Sequence, residues 1–250
     1  VAGLNEWPTV LLGKFDEAHH YSDEARKTQN GNESIFRMAL SETVEGSIDL
    51  MQGRLKQAVV RLQIAAGVSD DGRPLVGSQN AFPNVLLAEA LLETGNSDQA
   101  EQILSVFAPL VRGLTLPDHL INAQVLLARI FIDRCEPERG FKLLADLEAI
   151  GCRLGLPRVL ACARLELARH LIAEGKFDAA RDLIRRSGAS YFWDHISRQY
   201  FIANDLSTQA IAEFRWLIRS GASATAIPEL KRHLALAEQQ QRQRRALKLR

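Results

Sequence analysis

A seven-residue stretch built around glycine returns six times along the chain at nearly even intervals, and nothing else limits the fold as strongly. The copies are LGKFDEA (12–18), QGRLKQA (52–58), TGNSDQA (94–100), RCEPERG (134–140), EGKFDAA (174–180) and SGASATA (220–226), offset by 40, 42, 40, 40 and 46 residues. Five carry glycine at the second place (Gly13, Gly53, Gly95, Gly175, Gly221) and five carry alanine at the seventh (Ala18, Ala58, Ala100, Ala180, Ala226). A helix that closes through a left-handed residue favours glycine, because a Cβ there costs roughly 1–2 kcal/mol. An alanine early in the next helix lets two helices cross closely. The fourth copy has Cys135 at the glycine place, so its turn is expected to be strained or differently made, with Pro137 opening the next helix. Gly140, smaller than alanine, keeps the crossing role there.

A second marker keeps the same register. GLTLPDHLINAQVLLARI (113–130) matches GCRLGLPRVLACARLELARHL (151–171), with Pro117 over Pro157 and Leu127-Ala128-Arg129 over Leu167-Ala168-Arg169; Leu87-Ala88-Glu89 lies one period earlier. Each repeat therefore reads as a first helix, a tight turn, a second helix and a looser connection. In residues 98–113, Ala100, Ile103, Leu104, Phe107 and Leu110 or Val111 share one helical stripe. Residues 120–131 are apolar over a wider arc, as in a helix covered on most sides. Strand signals are absent, and 46% hydrophobic with only 6% aromatic residues suits close helix packing. One pair cannot bury its apolar faces alone, so such pairs stack. The expected fold is all-α: a right-handed α-α superhelix of about six TPR-like helix pairs over residues 1–250, with RQRRALKLR (242–250) starting a further first helix and the chain a fragment of a longer superhelix.

LLAEALLETGNSDQAEQIL (86–104), LPDHLINAQVLLARIFI (116–132) and LGLPRVLACARLELARHLIAEGKFDAARDLI (154–184) carry a resemblance, densest over 84–184. They are similar to the tetratricopeptide-like superhelical sensor domain of the large ATP-binding, MalT-like transcriptional regulators of the LuxR family. The period and the L-G-L-P entry into a first helix are the more characteristic parts. In that family a nucleotide-binding switch and a DNA-binding helix-turn-helix flank this region. Lys14 and Lys176 follow glycines but lack the upstream glycine and the following Ser or Thr of a phosphate loop. The resemblance thus implies an effector-sensing, protein-interaction segment of a cytoplasmic regulator, binding a small-molecule effector or a regulatory protein in its concave groove. It implies DNA contact only through a helix-turn-helix absent from these residues, and no cofactor; self-association is left open. A generic TPR peptide-docking scaffold or adaptor is the alternative, and a helical enzyme the third reading.

A search for chemistry favours binding over catalysis. His19, His20, His119, His170, His195 and His233 show no paired metal spacing and read as surface histidines; Cys152 and Cys162 are unsuitably spaced for a zinc knuckle and read as core thiols. No nucleophile elbow or carboxylate pair stands out, so no catalytic residue is assigned and the expectation is not an enzyme. The odd cysteine count, the lack of a span of about 18 apolar residues and the lack of a leader agree with a cytoplasmic protein away from membranes. Residues 1–125 hold 9 Lys and Arg against 16 Asp and Glu, whereas residues 126–250 hold 22 against 14, a gradient that can orient a partner. The basic tail reads as a solvated helix start, with contact to anionic surfaces as the alternative.

Stacking the repeats makes ladders. At 100° per residue, Asp118, Asn122, Arg129 and Asp133 share a polar strip on the fourth first helix. First helices of helix-pair solenoids line the concave side, so the strip is expected to face the groove. Register then aligns Glu89, Arg129 and Arg169, and also Phe82, Asn122 and Cys162, with Glu166 beside the strip. Arginine forks there favour carboxylate or phosphate, the plain alternative being a solvated Glu–Arg pair worth under about 1 kcal/mol. Asn84, Gln124 and Arg164 form a ladder at the centre of the apolar arc and must bridge repeats or line a cavity. The cluster Tyr191, Phe192, Trp193, Tyr200 and Phe201 coincides with the wide last spacing; Tyr191 and Trp193 suit a ligand, or the rings plug an irregular junction. The long connection 67–80 reads as a loop.

Overall fold

The computed structural model describes residues 6–27, 33–67, 77, 80–111, 117–188, 192–193, 196, 202–206 and 208–250. Among the described residues there are helices and no strand. The order is α1 (Glu6–Leu11), α2 (Phe15–Lys27), α3 (Glu33–Met51), α4 (Leu55–Ala66), α5 (Ala81–Glu93), α6 (Ser97–Val111), α7 (Pro117–Asp133), α8 (Pro137–Arg153), α9 (Pro157–Ala173) and α10 (Phe177–Arg185). A 3-10 turn (Ile202–Asp205), α11 (Gln209–Arg219), α12 (Ser223–Gln239) and α13 (Gln243–Leu249) follow. The chain forms two compact units, Val1–Leu114 and Thr115–Arg250.

All six copies of the repeated stretch close a helix in the same way. The residue at the glycine place is left-handed, from φ +62° at Cys135 to +88° at Gly221. Its N–H donates three residues back, and the next N–H donates five back, as in Gly53 N to Leu50 O (3.2 Å) and Arg54 N to Asp49 O (2.8 Å). Two carbonyls at the helix end are thereby satisfied. Cys135 makes the same pair, to Ile132 O (3.1 Å) and from Glu136 N to Phe131 O (2.8 Å). Its turn is strained but not differently made, which settles between the two expectations.

Some connections between pairs are also tight, which corrects the reading of every second link as loose. Between α8 and α9, Gly155 is left-handed (φ +63°) and Leu156 N donates to Gly151 O at 2.8 Å; between α12 and α13, Gln241 does the same at φ +55°.

The seventh place is buried in every copy. Ala18, Ala58, Ala100, Ala180 and Ala226 are fully or almost fully buried. A Cβ on Gly140 would lie 2.5 Å from Ile132 Cγ1 and 2.8 Å from the backbone oxygen of Ala128, so even alanine is too large there. In α6, Val111 rather than Leu110 completes the buried stripe.

Within each unit successive helices pack on one another in series. First helices also touch across the pairs: α1 on α3 and α3 on α5 in the first unit, α7 on α9 and α9 on α11 in the second. The basic tail is not solvated, since Arg242, Arg244 and Arg245 are all buried.

Candidate functional site

The second unit gathers charge on the facing first helices α7 and α9. Glu166, in α9, is wholly enclosed. Arg129, in α7, grips it with both arms, Nε to Oε1 at 2.8 Å and Nη2 to Oε2 at 2.7 Å, and Arg169 Nε donates to Oε1 at 2.7 Å. Burial alone would raise the Glu166 carboxyl. The guanidiniums of Arg129, Arg169 and Arg215 more than reverse this and hold it down at about 2. Arg215, in α11, is also pushed down, to about 10, by its own burial and by repulsion from Arg129 and Arg169, which in its case disfavours the charged form. Three cations thus face one carboxylate. The pair is no solvated surface bridge, which removes the plain alternative of a weak exposed contact.

The same face holds a short piece of the chain. Arg129 Nη2 also donates to Leu206 O at 3.1 Å. Asp118 Oδ1 accepts from Ala203 N at 3.0 Å, and Arg158 forks onto Asp118 while its Nη2 donates to Asn204 Oδ1 at 3.2 Å. On the other side, Arg242 pairs with Asp205 with both side chains fully buried, and Lys248 Nζ donates to Asp205 O at 2.7 Å. The strip expected to face an open groove is therefore covered at Asp118 and Arg129 by residues 203–206.

No family model, curated protein or solved structure matches the chain.

The remaining candidates divide. Asn122 and Gln124 are buried in α7 and Glu89 in α5, within the first unit. Arg164 bridges second and first helices, donating to Glu148 Oε1 and to Arg186 O, each at 2.8 Å, as expected of a structural bridge. Asn84 Nδ2 donates to the carbonyl of Asn80, the residue that precedes its own helix, at 2.7 Å. Trp193 is buried, with Nε1 on Ser187 O at 2.9 Å and Phe192 edge-on at 5.2 Å, as a junction plug would be. Tyr191, Tyr200, Phe201 and most of the 67–80 connection lie outside the described residues.

Two readings need correction. His119 is buried, which lowers its pKa to about 4; His170 packs against Phe141 and His233 against Phe214, both partly covered, so they are not surface histidines. Cys162 is a core thiol, pushed by burial to about 12, but Cys152 is exposed near the end of α8. Among the described residues no group of acids, histidines and cysteines could hold a metal ion.

Three important side chains escaped the sequence reading. Arg158 lies one period after Asp118, so the register signal for that pair was present. Arg215 stands six places before Gly221, as Arg129 does before Cys135 and Arg169 before Gly175, so the register offered it as the next rung of that ladder; Asp205 carried no such signal, because its placement depends on the irregular connection before α11.

The first unit has a polar hollow of about 340 Å³ bordered by His19, Glu45, Asp49, Arg54 and Arg61. His19 Nδ1 is 2.8 Å from each Glu45 oxygen, Arg54 Nε donates to Asp49 Oδ1 at 2.6 Å, and Arg61 Nη1 donates to Glu42 at 3.0 Å. Burial raises the Asp49 pKa, and Arg54 and Arg61 only partly restrain it.

Proposed function

We propose that the chain is a non-catalytic, effector-sensing and protein-interaction module of the kind found in MalT-like LuxR-family regulators. Its TPR-like pairs stack as a right-handed α-α superhelix with a period of about 40 residues. The observation that carries this reading is the repeated left-handed turn with its two hydrogen bonds, which gives every pair the same closure. A ligand that binds one curvature of such a stack better than another shifts the equilibrium by its differential affinity. The module works in the cytoplasm and meets DNA only through a separate helix-turn-helix.

A specific contact favours the runner-up, a peptide-docking scaffold. Asp118 and Arg129 hold residues 203–206 through main-chain atoms, Ala203 N and Leu206 O, as a groove holds a peptide irrespective of its sequence. A thermal-shift screen of sugars, carboxylates, aromatic metabolites and short acidic peptides separates the two. A ligand at a hundred times its Kd stabilises the folded state by about 2.7 kcal/mol. Shifts confined to small molecules support sensing, and shifts confined to peptides support the scaffold. Silence across the whole panel would sink both.

A further inference from the structure

Between α11, α12 and α13 lies a cavity of about 190 Å³, with Ile211, Phe214, Leu230 and Leu249 among its walls and Arg215 and Lys248 among its lining. Its size is close to that of cavities that admit benzene, and well below a drug-sized pocket. Its lining combines two features that seldom meet without purpose. The walls are aliphatic and aromatic, so an apolar body gains by entering. Arg215 meanwhile makes no hydrogen bond or ion pair with a described residue, and its electrostatic partners are Glu166, Arg129 and Arg169. Burial and the two neighbouring guanidiniums disfavour its charged form, and an anion arriving beside it would relieve both effects. Lys248 adds a second positive charge, although its Nζ already donates to Asp205 O at 2.7 Å.

We infer that this cavity binds a small carboxylic acid with a compact apolar body, of about the size of hexanoate or benzoate, with its carboxylate on Arg215 and its hydrocarbon among Ile211, Phe214, Leu230 and Leu249. A planar carboxylate matches the guanidinium fork, and the tail replaces water along the walls. Free phosphate satisfies only the first requirement and a neutral alcohol only the second. The binding step stands by itself; calling the acid an effector rests on the sensing reading. Arg215 and Arg129 face the same Glu166, and Arg129 holds Leu206 O, so an anion on Arg215 is electrostatically linked to the grip on residues 203–206.

Calorimetric titration of the 250-residue chain with hexanoate, hexan-1-ol and inorganic phosphate tests the assignment. Hexanoate is expected to bind at least tenfold tighter than hexan-1-ol or phosphate, the margin of a charge-assisted hydrogen bond. Arg215→Met, which keeps an unbranched stem and removes the guanidinium, should erase that preference. Ile227→Trp, at a half-exposed position on the cavity lining, should weaken hexanoate without touching the core. Equal binding of hexanoate and hexan-1-ol, an unchanged preference in Arg215→Met, or no heat with hexanoate at tens of millimolar would each overturn the site. Amide exchange at Ala203 reports the other step: hexanoate binding that leaves its protection unchanged keeps the site and removes the sensing reading.

Discussion

The α3–α4 contact of the first unit and the α7–α9 face of the second are built on first helices that end in the same turn, yet they place charge in opposite ways. In the first, Glu45 and Asp49 are buried while their partners reach water, the Arg54 and Arg61 side chains being 41% and 33% exposed. In the second, Glu166 is at 0% and Arg129 at only 14%. Asp49, whose arginines reach water, has its pKa raised by burial and by the neighbouring Glu45; burial would raise Glu166 too, but Arg129, only 14% exposed, leads the guanidiniums that drive it down. The lesson is that burial of a carboxylate does not set its sign. What sets it is how far its partners are also withdrawn from water, because an attraction is weak at high effective dielectric and strong at low. The acid-rich and base-rich halves of the sequence are thus expressed inside the units as well as on their surfaces.

The severest way to break this comparison is Glu166→Gln. It strands Arg129 and leaves Arg169 and Arg215 to repel one another, and is expected to destabilise the fold by about 3–5 kcal/mol. Denaturant unfolding measures it, and a loss under about 1 kcal/mol would place Glu166 in the same class as an exposed pair. The pH dependence sharpens the point. With a folded pKa of about 2 against the ordinary 4.5 of a glutamate, Glu166 contributes stability that is present above the unfolded pKa and lost as pH falls through the folded one. The contribution is roughly 3 kcal/mol, so Glu166→Gln should flatten the acid limb between about pH 5 and pH 2 by that amount.

A comparison of charge requires that the scaffold be equivalent, and the turns test this at a smaller scale. Gly95 in the first unit and Gly175 in the second have φ of +86° and +76°, and a Cβ on either meets nothing within 4 Å. Only backbone strain separates glycine from alanine there. Gly95→Ala and Gly175→Ala should therefore each cost about 1–2 kcal/mol, and Cys135→Gly should return about 1 kcal/mol by removing the same strain. Unequal costs in the two units, read from thermal unfolding, would mean that the turns differ and the charge comparison is confounded.

Legibility followed the range of the interaction. The turns and the crossing alanines are local, decided within about one helical turn of the glycine, so the repeated letters disclosed them. The meeting of Arg129, Glu166 and Arg169 was also readable, because helices one period apart bring equivalent places together. What could not be read was depth. Glu166 is enclosed where residues 203–206 are held on the α7–α9 face, and those residues belong to the connection that stretches the last interval, whereas Arg215 keeps its place six residues before Gly221. Arg242 was misread for the same reason. In the sequence it belongs to a basic tail, whereas in the fold it meets Asp205, contributed by that connection.

The smallest effect is the most discriminating. Asp49 accepts from Arg54 and lies 3.1 Å from Arg61 Nε, much as Glu166 lies between its arginines, so a count of ion pairs would rank the two acids alike. The raised pKa says otherwise. A group that holds its proton more tightly in the folded state contributes stability that is fully present below the unfolded pKa and is lost as pH rises through the folded pKa. At neutral pH the charged Asp49 is thus a burden only partly relieved by its partners, and Arg61 keeps Glu42 when that charge is removed. Asp49→Asn should change stability by less than about 1 kcal/mol at pH 7, with a pH slope opposite in sign to that of Glu166→Gln. A loss as large as that of Glu166→Gln would show that partner exposure does not divide the two units.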